Sequence, residues 1–190
     1  MDSIIQKIFP ETKNISKKHL LTYDDEGMWS ITLPEDADTI STMIKNDLGN
    51  NISIFDGTAG LGGNVLSFAQ FFKKVIGIEQ CEQRFKLLEK NISVYGYNNI
   101  TLYNGNCIDY IQSCECDAYF FDPPWGGPEY KKGKEITFKL GDYNLNNIVT
   151  ILKERNKYVV FKLPTNYDIS NFNTFNYKLN KINKYIILTF

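Results

Sequence analysis

The sequence predicts an α/β fold: a mostly parallel sheet of seven strands with an antiparallel hairpin at its C-terminal end. Three observations predict it. From residue 51 onward, apolar runs of strand length alternate with segments of helical spacing. A glycine-rich turn, Asp56-Gly57-Thr58-Ala59-Gly60-Leu61-Gly62-Gly63, follows the first of those runs. The last two runs are joined by only a brief polar connection, which reads as a hairpin added to an otherwise parallel sheet.

Residues 1–48 read as a short helical N-terminal extension, a lid on the substrate and cofactor side, and residues 49–190 as the main domain. Ile4-Ile5 and Ile8-Phe9 are spaced for a short amphipathic helix that Pro10 ends. A polar stretch with Lys17-Lys18-His19 follows, then the apolar island Met28-Trp29-Ser30-Ile31-Thr32. Ala37, Ile40, Met43, Ile44 and Leu48 predict a second helix. Pro34, Glu35 and Asp36 suit its N-terminus, and Gly49-Asn50-Asn51 closes it. In the main domain the expected strands are 52–55, 75–78, 100–103, 118–121, 158–161, 175–179 and 185–188. Helices are expected over 64–72, 85–95, 108–111 and 145–152.

Composition narrows the function classes. A chain of 190 residues that is 43% hydrophobic can bury one sizeable core. Its formal net charge of -1 and pI near 5.9 offer no global basic field for long nucleic acid. No apolar run approaches the roughly 20 residues of a membrane span. The N-terminus lacks a basic segment followed by an apolar core, so no secretory signal is expected. Cys81, Cys107, Cys114 and Cys116 are too irregularly spaced for a disulfide scaffold or a zinc site, and His19 is the single histidine. A reduced intracellular protein without a metal is expected, with nucleus and cytoplasm indistinguishable.

The candidate chemistry gathers where strands end, the edge at which open parallel sheets bind ligands. Glycines in the first turn let backbone approach a ligand, and the leading Asp56 suits a cationic amino acid moiety better than a pyrophosphate. Glu79 ends the second strand about 20 residues later, where an acid can accept hydrogen bonds from ribose hydroxyls. Gly105-Asn106-Cys107 ends the third strand, in position for an adenine. After the fourth run, Asp122-Pro123-Pro124-Trp125 sets a carboxylate beside a rigid loop and a broad aromatic face, suited to a flat nitrogen-bearing ring.

Together these motifs resemble those of class I S-adenosylmethionine-dependent methyltransferases, whose D-P-P-[WYF] form marks enzymes that methylate exocyclic amines. The longer stretch Asp122-Pro123-Pro124-Trp125-Gly126-Gly127-Pro128-Glu129-Tyr130 is similar to the P-P-W-G-G-P-[DE]-Y motif of trimethylguanosine synthases. Trp29 through Glu35, Asp56 through Asn64, and Asn91 with Val94-Tyr95-Gly96 resemble further segments of that family. The resemblance implies a Rossmann-like class I fold and methylation of the 2-amino group of a 7-methylguanosine RNA cap. It implies that Asp122 and Pro123 face the amine, that Trp125 stacks on the base beside Pro124, and that Ser30 and Asn91 help hold it. Thr32, Asp56, Gly57, Thr58, Gly60, Glu79, Gln80, Asn106, Cys107 and Asp122 would line the S-adenosylmethionine site. For Trp29 both a buried anchor and a direct contact stay open.

The chain departs from the family pattern in several places. Asn106 stands where most members have aspartate, and Leu33 is an extra residue before Pro34. The arginine usual after the fifth-strand Leu-Pro is replaced by Thr165-Asn166. Lys162, Lys17 and Lys18, or Lys131, Lys132 and Lys134 are the candidates for the cap phosphates, as point charges without an arginine's fork. Long extensions are missing, so a near-minimal catalytic module acting as a monomer is expected. The other reading is an adenine 6-amino or guanine 2-amino methyltransferase acting on DNA, rRNA or tRNA. A third is a degenerate fold that binds without turnover.

Overall fold

At the centre of the sheet lies β1 (Ser53–Asp56), whose last three residues are buried. It runs parallel to β4 (Ala118–Phe121), with Ile54 opposite Ala118 and Asp56 opposite Phe120. This computed structural model describes residues 3–11, 15–126 and 136–190. On one side of β1 come β2 (Lys74–Glu79) and then β3 (Ile100–Asn104). Beyond β4 come β7 (Tyr158–Pro164), β9 (Tyr185–Thr189) and β8 (Lys178–Ile182), giving seven strands in the order β3-β2-β1-β4-β7-β9-β8. β9 runs antiparallel to both of its neighbours, β7 and β8, while the other pairings in the sheet are parallel. The winding direction reverses between β1 and β4, which opens a crevice at their C-terminal ends.

Alternation along the strands builds two cores. Ile54, Val75, Phe120 and Val160 face one, against α3 (Pro34–Leu48), α4 (Gly63–Phe71) and α5 (Glu82–Tyr95). Phe55, Ile76, Tyr119, Phe121 and Phe161 face the other, with α6 (Cys107–Ile111) and α7 (Leu145–Glu154). Ile8 of α1 (Ser3–Ile8), Phe9 and Leu21 join the first core, so the N-terminal segment shares it. Pro34 at the first position of α3 is followed by Glu35 and Asp36, and Gly49 closes the helix at φ 78°. No helix among the described residues is long and apolar enough to cross a membrane.

Two elements differ from expectation. The eighth strand begins at Lys178, not at Phe175. Phe175 and Tyr177 instead pack their rings on Phe190, at 6.0 and 5.7 Å, so an aromatic run that reads as strand belongs to the core. The real strand is an exposed sheet edge carrying Lys178 and Lys181, charges that discourage pairing with another chain. A small ribbon, β5 (Lys139–Leu140) with β6 (Tyr143–Asn144), turns through Gly141 at φ 57° and is too short to show alternation.

Candidate active site

Three strand ends bring three acids together. Asp56 ends β1, Glu79 ends β2, and Asp122 follows β4. Asp56 is fully buried; its Oδ1 accepts from the Thr58 N–H at 3.0 Å, while Oδ2 is buried with no hydrogen-bond partner among the described residues. Burial, with further repulsion from Asp122 and Glu79, pushes its carboxyl up to about 7. Glu79 is buried too, with Oε2 accepting from Gly60 N–H at 2.9 Å and Oε1 from Cys81 N–H at 2.8 Å. The first grip therefore fixes the glycine turn against β2.

Thr58 ties the turn to β4, since its hydroxyl accepts the Asp122 N–H at 2.7 Å. The Asp122 carboxylate is addressed from two other elements. Lys162 of β7 donates to Oδ2 at 2.5 Å, and the Thr32 hydroxyl lies 3.5 Å from the same oxygen. Asn64 at the start of α4 donates to Thr32 Oγ1 at 3.0 Å. Burial raises the Asp122 carboxyl, and Lys162 works against that rise. Pro123 is buried beside it and Pro124 exposed. Trp125 is half-buried against the first core, with the Lys162 ammonium 5.1 Å from its ring and 4.9 Å from that of Tyr185.

The N-terminal segment closes on this crevice through small-residue contacts. Asp24 caps α2 (Asp25–Ser30), accepting from Gly27 N–H, and Arg84 of α5 clamps Asp24 and Glu26 at 3.0 and 2.7 Å. A side chain at Gly63 would meet the Thr32 carbonyl at 2.6 Å, and one at Gly27 would meet Leu61 at the same distance. Both glycines serve the close approach of the N-terminal segment; Gly63, expected to make room for a ligand, makes room for Thr32 instead.

Several expected contacts are placed differently. Lys162, a candidate for phosphate, is 5% exposed and paired with Asp122. Asn91, expected near the base, is fully buried; its amide is spent on Thr22 and on the Leu61 carbonyl. These bonds hold the N-terminal segment at Thr22 to α5. Asn106 Oδ1 accepts from Ile108 N–H at 3.1 Å, capping α6. Trp29 is 80% exposed, which rules out the buried anchor. Lys18 pairs with Glu11. Ser30 and Gln80 are exposed near the lid and the end of β2, and the Cys107 thiol is buried, which pushes it up to about 12. Gly127, Pro128, Glu129, Tyr130, Lys131, Lys132 and Lys134 lie outside the described residues. The signal for the Lys162 pairing was a lone lysine inside the apolar strand Tyr158-Val159-Val160-Phe161-Lys162-Leu163, since a buried charge needs a partner.

Comparison with known proteins decides the family. The model of the RNA cap guanine-N2 methyltransferases matches residues 51–189. The chain belongs to that family. An uncharacterized protein of Acanthamoeba polyphaga mimivirus is 34% identical over 197 residues, spanning 90% of this chain and 77% of that protein. The trimethylguanosine synthase of Saccharomyces cerevisiae is 27% identical over 154 residues, spanning 77% of this chain and 49% of the yeast protein. Among solved structures, a precorrin-6y C5,15-methyltransferase from Geobacter metallireducens superposes with a TM-score of 0.65 at 15% identity, covering 95% of this chain and 99% of that one. The T. thermophilus 16S rRNA N2 methyltransferase, solved with AdoMet and guanosine, gives 0.62 at 14% identity, covering 88% and 43%. Those two likenesses show a shared fold. As a member of the cap guanine-N2 methyltransferase family, the chain is a class I enzyme dependent on S-adenosylmethionine.

The site fits that methyl donor on its own chemistry. A buried carboxylate oxygen of Asp56 lacks a hydrogen-bond partner among the described residues, as a site for a cationic group would, and two further acids stand near it. Among the described residues no group of three or more His, Cys, Asp or Glu is arranged to hold a metal ion.

Proposed function

We propose that this family member methylates the exocyclic 2-amino group of a 7-methylguanosine RNA cap, carrying it to di- or trimethylguanosine. The observation that carries the reading is the Asp122 carboxylate, its side chain 11% exposed, beside Trp125 at the mouth of the crevice between β1 and β4. S-adenosylmethionine supplies an electrophilic methyl group when bound. Asp56 and Glu79, set beside the Gly57–Gly60 turn, would hold the cationic amino acid end and the ribose of that donor. An aromatic amine delocalises its lone pair into the ring and is a weak nucleophile. Asp122 accepts its N–H bond, with the Pro123 carbonyl, and turns the lone pair toward the methyl group. Holding both partners in line supplies most of the acceleration. The surplus proton leaves after transfer, so a strong general base such as histidine is not required.

Trp125 supports the choice of base. Lys162 takes one side of its ring, and the other would meet a 7-methylguanine whose positive charge favours the aromatic face. The deciding experiment measures methyl transfer to 7-methylguanosine diphosphate, guanosine diphosphate and an adenine-containing oligonucleotide. Transfer to the methylated nucleotide is expected at least about tenfold faster than to the others, the scale of a desolvated cation–π contact. Equal rates on the two guanine nucleotides sink the cap reading, and transfer to the adenine oligonucleotide alone favours a 6-amino methyltransferase.

A further inference from the structure

Lys162 is the cation that the site has enclosed. It sits in β7 at 5% exposure, 2.5 Å from Asp122 Oδ2, with Trp125 and Tyr185 rings at 5.1 and 4.9 Å. A lysine gripping cap phosphates would present its ammonium to solvent, whereas this one is spent on a carboxylate and two aromatic faces. Among the described residues, the two side-chain donors to the Asp122 carboxylate, Lys162 and Thr32, address the same oxygen, Oδ2. We propose that Lys162 is a positioning residue for methyl transfer: it holds Asp122 ionised and pins Oδ2, so that Oδ1 is presented to the acceptor amine.

Ionisation matters because of what the amine must give and keep. Its nitrogen lone pair forms the bond to the methyl carbon as the donor's carbon–sulfur bond breaks with its pair left on sulfur. The nitrogen then loses one proton to water, so the lone pair has to stay free until the bond forms. A carboxylate accepts the N–H bond and leaves the lone pair alone. A protonated carboxyl would instead donate to that lone pair.

The neighbours of Asp122 make the cation necessary. Asp56 faces it from β1, with Glu79 of β2 behind, and Tyr185 faces it from β9. Thr32 approaches from the lid and carries no charge. Burial favours the protonated form of Asp122, and the Lys162 charge and hydrogen bond, with the Thr32 hydrogen bond, oppose it. Removing one partner of a buried pair leaves an uncompensated charge, which the survivor relieves by taking up a proton.

The proposal rests on the methyl-transfer reading for its acceptor, and its test separates the two. Lys162→Gln and Lys162→Arg both keep a donor against Asp122, avoiding the unpaired carboxylate that Lys162→Met would create. In Lys162→Gln, kcat at neutral pH is expected to fall at least about tenfold. The acid limb of its pH profile should move up by about one unit or more, and KM for the acceptor should stay within about threefold. Lys162→Arg restores the limb. Substrate-free protein provides a second readout by carboxyl carbon-13 NMR: Asp122 should protonate at higher pH in Lys162→Gln than in the parent. An unmoved carboxyl titration or acid limb overturns the proposal. So does a loss confined to KM for 7-methylguanosine diphosphate and absent with 7-methylguanosine, which would make Lys162 a phosphate ligand. If the parent methylates a different amine, the cap reading falls, and the same profile on that amine still decides Lys162.

Discussion

A carboxylate buried among other acids is costly, and Asp56 carries that cost in the free protein. Its carboxyl stands near 7 in the fold against an ordinary value of 3.8. A folded value raised above the unfolded one means that stability is full below the unfolded value and is lost as pH rises through the folded one. Between about pH 4 and pH 7 the Asp56 contribution should therefore erode. Asp56→Asn should stabilise the free protein at neutral pH by on the order of 2 kcal/mol, read from urea unfolding, and flatten that part of the profile. The same substitution should abolish binding of S-adenosylmethionine. A cation that binds the ionised form draws a proton off, so parent affinity should weaken up to about tenfold per unit as pH falls below 7. Calorimetry in two buffers of different ionisation enthalpy would count the proton released. A pH-independent affinity would place the cationic end of the donor elsewhere.

At the scale of elements, the N-terminal segment is joined to the main domain by specific geometry. Asn91 bonds both backbone groups of Thr22, Arg84 clamps the start of α2, and Thr32 links Asn64 to Asp122. The close approach depends on Gly63, where an added methyl would stand 2.6 Å from the Thr32 carbonyl and 2.8 Å from Ile31. Backbone cannot give way as a flexible side chain does. Gly63→Ala is expected to cost about 1–3 kcal/mol in urea unfolding and to weaken cofactor binding through displaced Thr32. Unchanged stability would mean that the lid shifts freely.

At the scale of the molecule, the N-terminal segment and the sheet share a core. Ile8, Phe9 and Leu21 are buried in the same cluster as Ile40, Ile44 and Phe68. Removing residues 1–21 would expose that surface, and each such side chain is worth roughly 1.5–3 kcal/mol when fully buried. The truncated chain should lose about 10 °C or more in Tm, whereas the full chain should show one calorimetric transition. Two separated transitions in the full chain would show that the segment folds apart from the sheet.

The alternation of strands and helices, the hairpin at the end, and the acids and glycines at the strand ends are all legible in the order of residues. These are local: strand runs, helical spacing and turn residues are written in neighbouring positions. The boundary of β8 was obscured because Phe175 and Tyr177 have strand-like chemistry and pack on a ring 13 or more positions away. Which charges meet is set by the packing of elements distant in the chain. Asp122 and Lys162 are 40 residues apart, and their pairing depends on β4 lying beside β7 in register. The same is true of Asn91, whose amide is taken by a lid 69 residues earlier in the chain. Residue type shows what a side chain can bond; the partner it bonds is fixed by which strands and helices the fold brings side by side.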